Sequence, residues 1–140
     1  MQIDKELIHG KIDIIERNIT FLNTYKERIE VDILDSYKDI QAIKYSLFEI
    51  IEACINIASH IISGKAFQRA ESYAEMFEIL GKNDILKTQL SKKLSNMARF
   101  RNVLVHGYAK IDNSKVLVFA KEKLIDVENF IKAIIELTKE

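Results

Sequence analysis

The chain has 140 residues, 48% of them hydrophobic and 30% charged, with 21 basic side chains balanced by 21 acidic ones. That is one domain's length with enough apolar material for a core, and the zero formal charge excludes bulk positive charge as a means of holding nucleic acid. No proline and four glycines favour long uninterrupted helices, while a single cysteine excludes a disulfide framework or a multi-cysteine metal site.

In chain order, the stretch from Met1 to Glu6 lacks the apolar segment of a secretory signal, which points to a reducing, cytoplasmic setting. A first helix is predicted over about 4–30, because Ile8, Ile12, Ile15, Ile19, Leu22 and Ile29 recur at spacings of three, four and seven. His9, in its polar part, gets no role. A second helix starts near Asp32 or Asp35 and stops at Gly64. Its middle is apolar on most sides, which makes it the central helix, with Cys54 a small core residue. Lys44, Glu49, Glu52, Asn56 and His60 interrupt it too often for a membrane span.

A short helix over about 69–80 is closed by Gly81-Lys82-Asn83-Asp84, and a fourth helix over about 85–106 is closed by Gly107. After a turn capped by Asn113 or Ser114, one last helix buries Leu117, Ala120, Leu124, Val127, Ile131 and Ile134. No repeat, linker or low-complexity tract divides the chain. The expected fold is all-α: one domain over 1–140, an up-and-down antiparallel bundle of four long helices and one short one.

Two helices break their own pattern. The fourth carries an apolar seam through Leu86, Leu90, Leu94, Met97, Leu104 and Tyr108, and Arg101 sits on it. A buried guanidinium without a partner is severely destabilising, so Arg101 has to meet a carboxylate, a partner surface or an anionic ligand. Asn102 and His106, four apart, share a neighbouring stripe with Arg99. At about 100° per residue, Arg101 and His106 diverge by roughly 140°, so spacing alone does not make them converge. In the second helix Glu49, Glu52, Asn56 and His60 form a polar stripe, read either as a solvated edge or as one wall of a cleft in which Glu49 or Glu52 orients Arg101.

Arginine forks a phosphate and histidine exchanges protons near neutral pH, so Arg101 and His106 are minimal equipment for cutting a phosphodiester. The plainer readings stand beside that one. His106 fits a helix C-terminal cap, Tyr108 a half-buried aromatic, Asn102 a surface amide, and His60 a structural residue. The residues alone leave these open.

The octapeptide Arg101-Asn102-Val103-Leu104-Val105-His106-Gly107-Tyr108 resembles the Arg-x4-His-x-Tyr signature of HepT-type toxins in the HEPN superfamily. The likeness continues through Glu52-Ala53-Cys54-Ile55-Asn56-Ile57-Ala58-Ser59-His60-Ile61-Ile62, Ser72-Tyr73-Ala74-Glu75-Met76-Phe77 and Lys110-Ile111-Asp112, so it covers most of the chain. Asn56 departs from it, standing where many relatives have an acidic residue.

The resemblance implies an all-helical two-fold homodimer, a metal-independent endoribonuclease toxin without a cofactor. It further implies a type VII pair with a minimal nucleotidyltransferase antitoxin that silences the toxin by attaching AMP to Tyr108. Arg101 and His106 would be catalytic with Asn102 in support. By local charge, apart from the resemblance, Arg99 and Lys110 would hold substrate RNA, with Lys92 and Lys93 further up the helix in the same basic cluster. A two-fold axis beside the fourth helix would place two arginines and two histidines in one cleft and explain why Arg101 interrupts the seam. Two other readings compete. One is a non-catalytic helical subunit that binds nucleotide or substrate for a nucleotidyltransferase. The other is a structural dimerisation bundle with Arg101 paired to Glu49 or Glu52.

Overall fold

A computed structural model describes residues 3–106 and 112–139, apart from the side chain of His106. Among the described residues there are seven helices and no strand: α1 Lys5–Asn23, α2 Glu30–Leu34, α3 Tyr37–Gly64, α4 Tyr73–Lys82, α5 Thr88–His106, α6 Asn113–Glu122 and α7 Leu124–Thr138. The helix starts follow from capping chemistry. Asp4 accepts from the Leu7 amide, Ser36 from Asp39, Ser72 from Glu75 and Asp112 from Ser114. The cap of α6 is therefore Asp112 rather than Asn113 or Ser114.

Helix α3 is the axis. Ile43, Leu47, Ile50, Ile51, Ile57 and Ile61 are fully buried along it, and α1, α2, α4, α5 and α6 all pack against it. It is long and apolar enough to cross a membrane by length and composition, but its apolar residues are spent on the other helices. Cys54 is completely buried there, and burial pushes its thiol far up from the ordinary range. Helices α4 and α5 form a hairpin on one flank, while α7 packs on α5, α6 and α1 and closes the bundle.

Several boundaries differ from those the periodicity predicts, among them the starts of α3, α4 and α5 at Tyr37, Tyr73 and Thr88 instead of near 32–35, 69 and 85. The first helix ends at Asn23, not near 30. Tyr25 turns inward, 5% exposed, and its hydroxyl donates to Asp39 Oδ1 at 2.8 Å, so the chain leaves the helical path and Ile29 is left 67% exposed. The last helix is two helices broken at Lys123, where φ −109° and ψ 1° depart from helical geometry. The buried seam nevertheless continues across the break through Leu117, Ala120, Leu124, Val127, Ile131 and Ile134.

Gly81, expected to terminate its helix, lies inside α4, and its role is close approach. A Cβ there would fall 2.7 Å from Ser91 Cβ on α5 and closer still to its hydroxyl. The left-handed residues that end α3 and α4 are Ala66 (φ 54°) and Asp84 (φ 61°). In each case the following amide returns to a carbonyl five residues back, Phe67 to Ile62 and Ile85 to Leu80, both at 3.0 Å.

Candidate functional site

The last turns of α5 lie against the middle of α3, and Arg101 is the residue that joins them. Its side chain is only 17% exposed. Nε donates to Glu52 Oε1 at 2.6 Å, and Nη1 makes a long 3.4 Å bond to Asn102 Oδ1. The guanidinium carbon lies 5.2 Å from the centre of the Tyr73 ring and 5.6 Å from that of Phe48, within cation–π range of both. An arginine on an apolar seam is thus accommodated by one carboxylate and two aromatic rings. Among the described residues, no acceptor takes the two Nη2 donors or the second Nη1 donor. A guanidinium fixed in this way, with three donors to spare, is suited to an anionic oxygen such as a phosphate.

Of the α3 stripe only Glu52 reaches Arg101. Glu49 accepts from Asn18 Nδ2 at 3.3 Å, and Asn18 Oδ1 accepts from Ser46 at 2.7 Å, a clasp between α1 and α3. His60 Nε2 accepts from the Asp4 amide at 2.7 Å and so secures the start of α1. Asn56 is exposed. The stripe therefore divides among three tasks instead of lining one cleft.

Asn102 is exposed beside Arg101, and α5 continues through the backbone of His106. Tyr108 and Lys110 lie outside the described residues, as does the His106 side chain. Arg99 is not brought to Arg101: it hydrogen-bonds Asn96 at 2.9 Å and pairs with Glu78 of α4 at 3.6 Å. Among the described residues, no cluster of three histidine, cysteine or acidic side chains is placed to hold a metal ion. The residues that sequence reasoning passed over are Phe48 and Tyr73. Phe48 sits one turn before Glu52 on the same face of α3, a signal available from spacing. Tyr73 required the fold, because it comes from the first residue of α4.

These features define a class: a helical domain that presents an arginine-led polar motif at the end of one helix, braced by a carboxylate on the central helix. The family model described as Ribonuclease HepT-like matches residues 15–134. A tRNA nuclease HepT of Aphanizomenon flos-aquae is 31% identical over 121 residues, 83% of this chain and 79% of that protein. An mRNA nuclease HepT of Shewanella oneidensis is 34% identical over 83 residues, 59% of this chain and 62% of that one. Among solved structures, a tri-AMPylated Shewanella oneidensis HEPN toxin in complex with an MNT antitoxin superposes with a TM-score of 0.85 at 27% identity, covering 91% of this chain and 96% of that one. The chain belongs to the HepT-like ribonuclease family.

Proposed function

We propose that this chain is the ribonuclease toxin of a type VII toxin–antitoxin pair, cutting RNA without a metal in a cleft shared by two protomers. The observation that carries the reading is Arg101. It is a seam arginine clamped by Glu52, Phe48 and Tyr73, with donors left over, one residue before Asn102 and five before His106. In the reaction a ribose 2′-oxygen attacks the adjacent phosphorus while the 5′-oxygen leaves. The products are a 2′,3′-cyclic phosphate and a 5′-hydroxyl. His106 takes the proton from the 2′-hydroxyl or delivers one to the leaving oxygen. Arg101 neutralises the charge that builds on the phosphate oxygens. Asn102 orients the arginine, and Lys110 extends the positive surface along the RNA, joined by Arg99 when RNA draws it from Glu78.

One protomer supplies a single arginine and a single histidine of this kind. A two-fold axis beside α5 supplies two of each, so acid and base come from two histidines. The exposed Val103 and Val105, 44% and 36% accessible on the same turns, favour contact between copies there. Sedimentation and cleavage followed over one dilution series test this. Activity falls with the dimer; full activity of a monomer contradicts the shared site.

The partner is a minimal nucleotidyltransferase. It transfers AMP from a nucleoside triphosphate as the Tyr108 oxygen attacks the α-phosphorus and pyrophosphate departs. The added phosphate competes with RNA for Arg101 and its bulk obstructs the cleft.

The Arg101–Glu52 bond also favours a purely structural role for the pair. The two readings separate on Arg101→Ala: a structural arginine takes stability with it, a catalytic one takes turnover and leaves most of the fold.

A further inference from the structure

A second feature of α5 lies around the helix from Arg101. A pocket of about 320 Å³ opens between α5 and α6, at the lower end of the size usual for small-ligand sites. Its floor is apolar: Met97 and Phe100 of α5, Val118 and Phe119 of α6. Phe100 and Phe119 stack on each other, with ring centres 5.2 Å apart and planes within 10°, which makes the floor rigid. Its rim is cationic, with Lys93, Lys115 and Lys123. The one carboxylate, Asp126, is 3.8 Å from Lys93 and balances that lysine. Among the described residues, Lys115 and Lys123 have no acidic partner, so the rim carries net positive charge on a chain whose total charge is zero.

An apolar floor under a lysine rim matches a nucleotide, which has a flat base at one end and a phosphate at the other. Single-stranded nucleic acid is held by this combination of aromatic surface and basic rim. Phe100 precedes Arg101, so about 100° of rotation and one helical step separate the pocket wall from the arginine. A strand with one phosphate at Arg101 can therefore lay a neighbouring nucleotide along α5 into the pocket. We propose that the α5–α6 pocket is a subsite for one unpaired nucleotide of the RNA substrate, next to the cleavage position. This rests on the ribonuclease reading above and names where that enzyme grips its substrate outside the cleaved bond.

The test uses Lys115→Glu, Lys123→Glu and Val118→Asp, all at exposed positions, with the exposed Lys38→Glu at the start of α3 as control. Cleavage of single-stranded RNA is measured for each, together with photo-crosslinking of 4-thiouridine RNA to the His106→Ala chain. The subsite requires KM to rise roughly tenfold in the pocket variants with kcat held and the control unchanged, and crosslinks on peptides bearing Phe100 or Phe119. Unchanged KM together with crosslinks elsewhere overturns it. So does loss of silencing by the nucleotidyltransferase with RNA kinetics intact, which would make the pocket a protein-docking surface. A chain that crosslinks through the pocket but never cuts RNA keeps the subsite and removes the ribonuclease mechanism, so the two failures are distinct.

Discussion

Arg101 and Glu52 are 49 residues apart in sequence, and their side chains meet at 2.6 Å, tying the end of α5 to the middle of α3. The bond uses Nε and leaves the outer nitrogens, so Glu52 orients the arginine without consuming the donors a phosphate needs. Glu52 is a positioning residue in this account. Glu52→Gln keeps an oxygen acceptor and retains most activity. Glu52→Ala lets the guanidinium swing and lowers kcat roughly tenfold with a smaller change in KM, since misplacement of a catalytic group costs rate steeply. Its stability loss is about 1–2 kcal/mol, between the values for exposed and buried pairs. Thermal melts and steady-state RNA cleavage read both.

Arg101→Lys separates fork from charge. Lysine keeps the positive charge but has neither the planar fork nor the guanidinium face that sits by Phe48 and Tyr73. Cleavage falls by roughly 10²–10³, as when a donor to the developing oxyanion is lost, while the melting temperature changes by only a few degrees. A lysine variant with near-normal kcat would show that point charge suffices.

Co-expression with the cognate nucleotidyltransferase raises the mass of the chain by one or more AMP units. Tyr108→Phe abolishes the increment at that peptide and leaves the toxin unsilenced. Intact mass and peptide mapping decide the matter; full modification and silencing of the Phe variant refute the assignment.

Two glycines respond in opposite directions. Gly81→Ala drives a Cβ into Ser91 across the α4–α5 contact and costs about 1–3 kcal/mol. Gly10→Ala, inside α1 with open space around the added methyl, gains about 0.5–1 kcal/mol. Paired chemical denaturation curves check the sign of each.

Asp39 sets an acid edge to stability. Its carboxyl is held below the ordinary 3.8, first by the Tyr25 hydroxyl and then by Ser36 and Arg28. A carboxylate with a depressed folded pKa contributes above its unfolded pKa, and the contribution is lost as pH falls through the lower folded value. Tyr25 is raised above 10.0, by burial first and then by Asp39. Its contribution holds below the unfolded value and is lost as pH rises through the folded one. The pair therefore supports α2 and the start of α3 fully between about pH 4 and 10. Tyr25→Phe weakens the acid-side loss, seen as a flatter dependence of stability on pH below 4. An identical acid limb in the variant would contradict this.

Much of the fold was legible in sequence because helical periodicity reports burial directly. The predicted seams of the first helix and of α6 and α7 are buried residues, except that Ile19 is half-buried and Ile29 exposed. What periodicity did not carry was any boundary decided by a distant partner. Tyr25 ends α1 because Asp39 waits on α3, and α6 breaks from α7 at Lys123 with no proline or glycine to mark it. At the site, Arg101 was conspicuous as a charge on an apolar seam. The choice of Glu52 over Glu49 was not, since it depends on how α5 crosses α3, and Tyr73 arrives from a third helix. Arg99, grouped with Asn102 and His106 by helical phase, is engaged by Glu78 of α4.

The central claim is that Arg101 and His106 cleave RNA without a metal. The most direct measurement is cleavage of RNA by the purified chain in excess chelator, run beside His106→Ala and Arg101→Ala proteins shown to be folded. The account predicts robust cleavage by the parent chain, 2′,3′-cyclic phosphate ends, and a loss of at least about a hundredfold in each variant. Undiminished cleavage by the His106→Ala protein would contradict it.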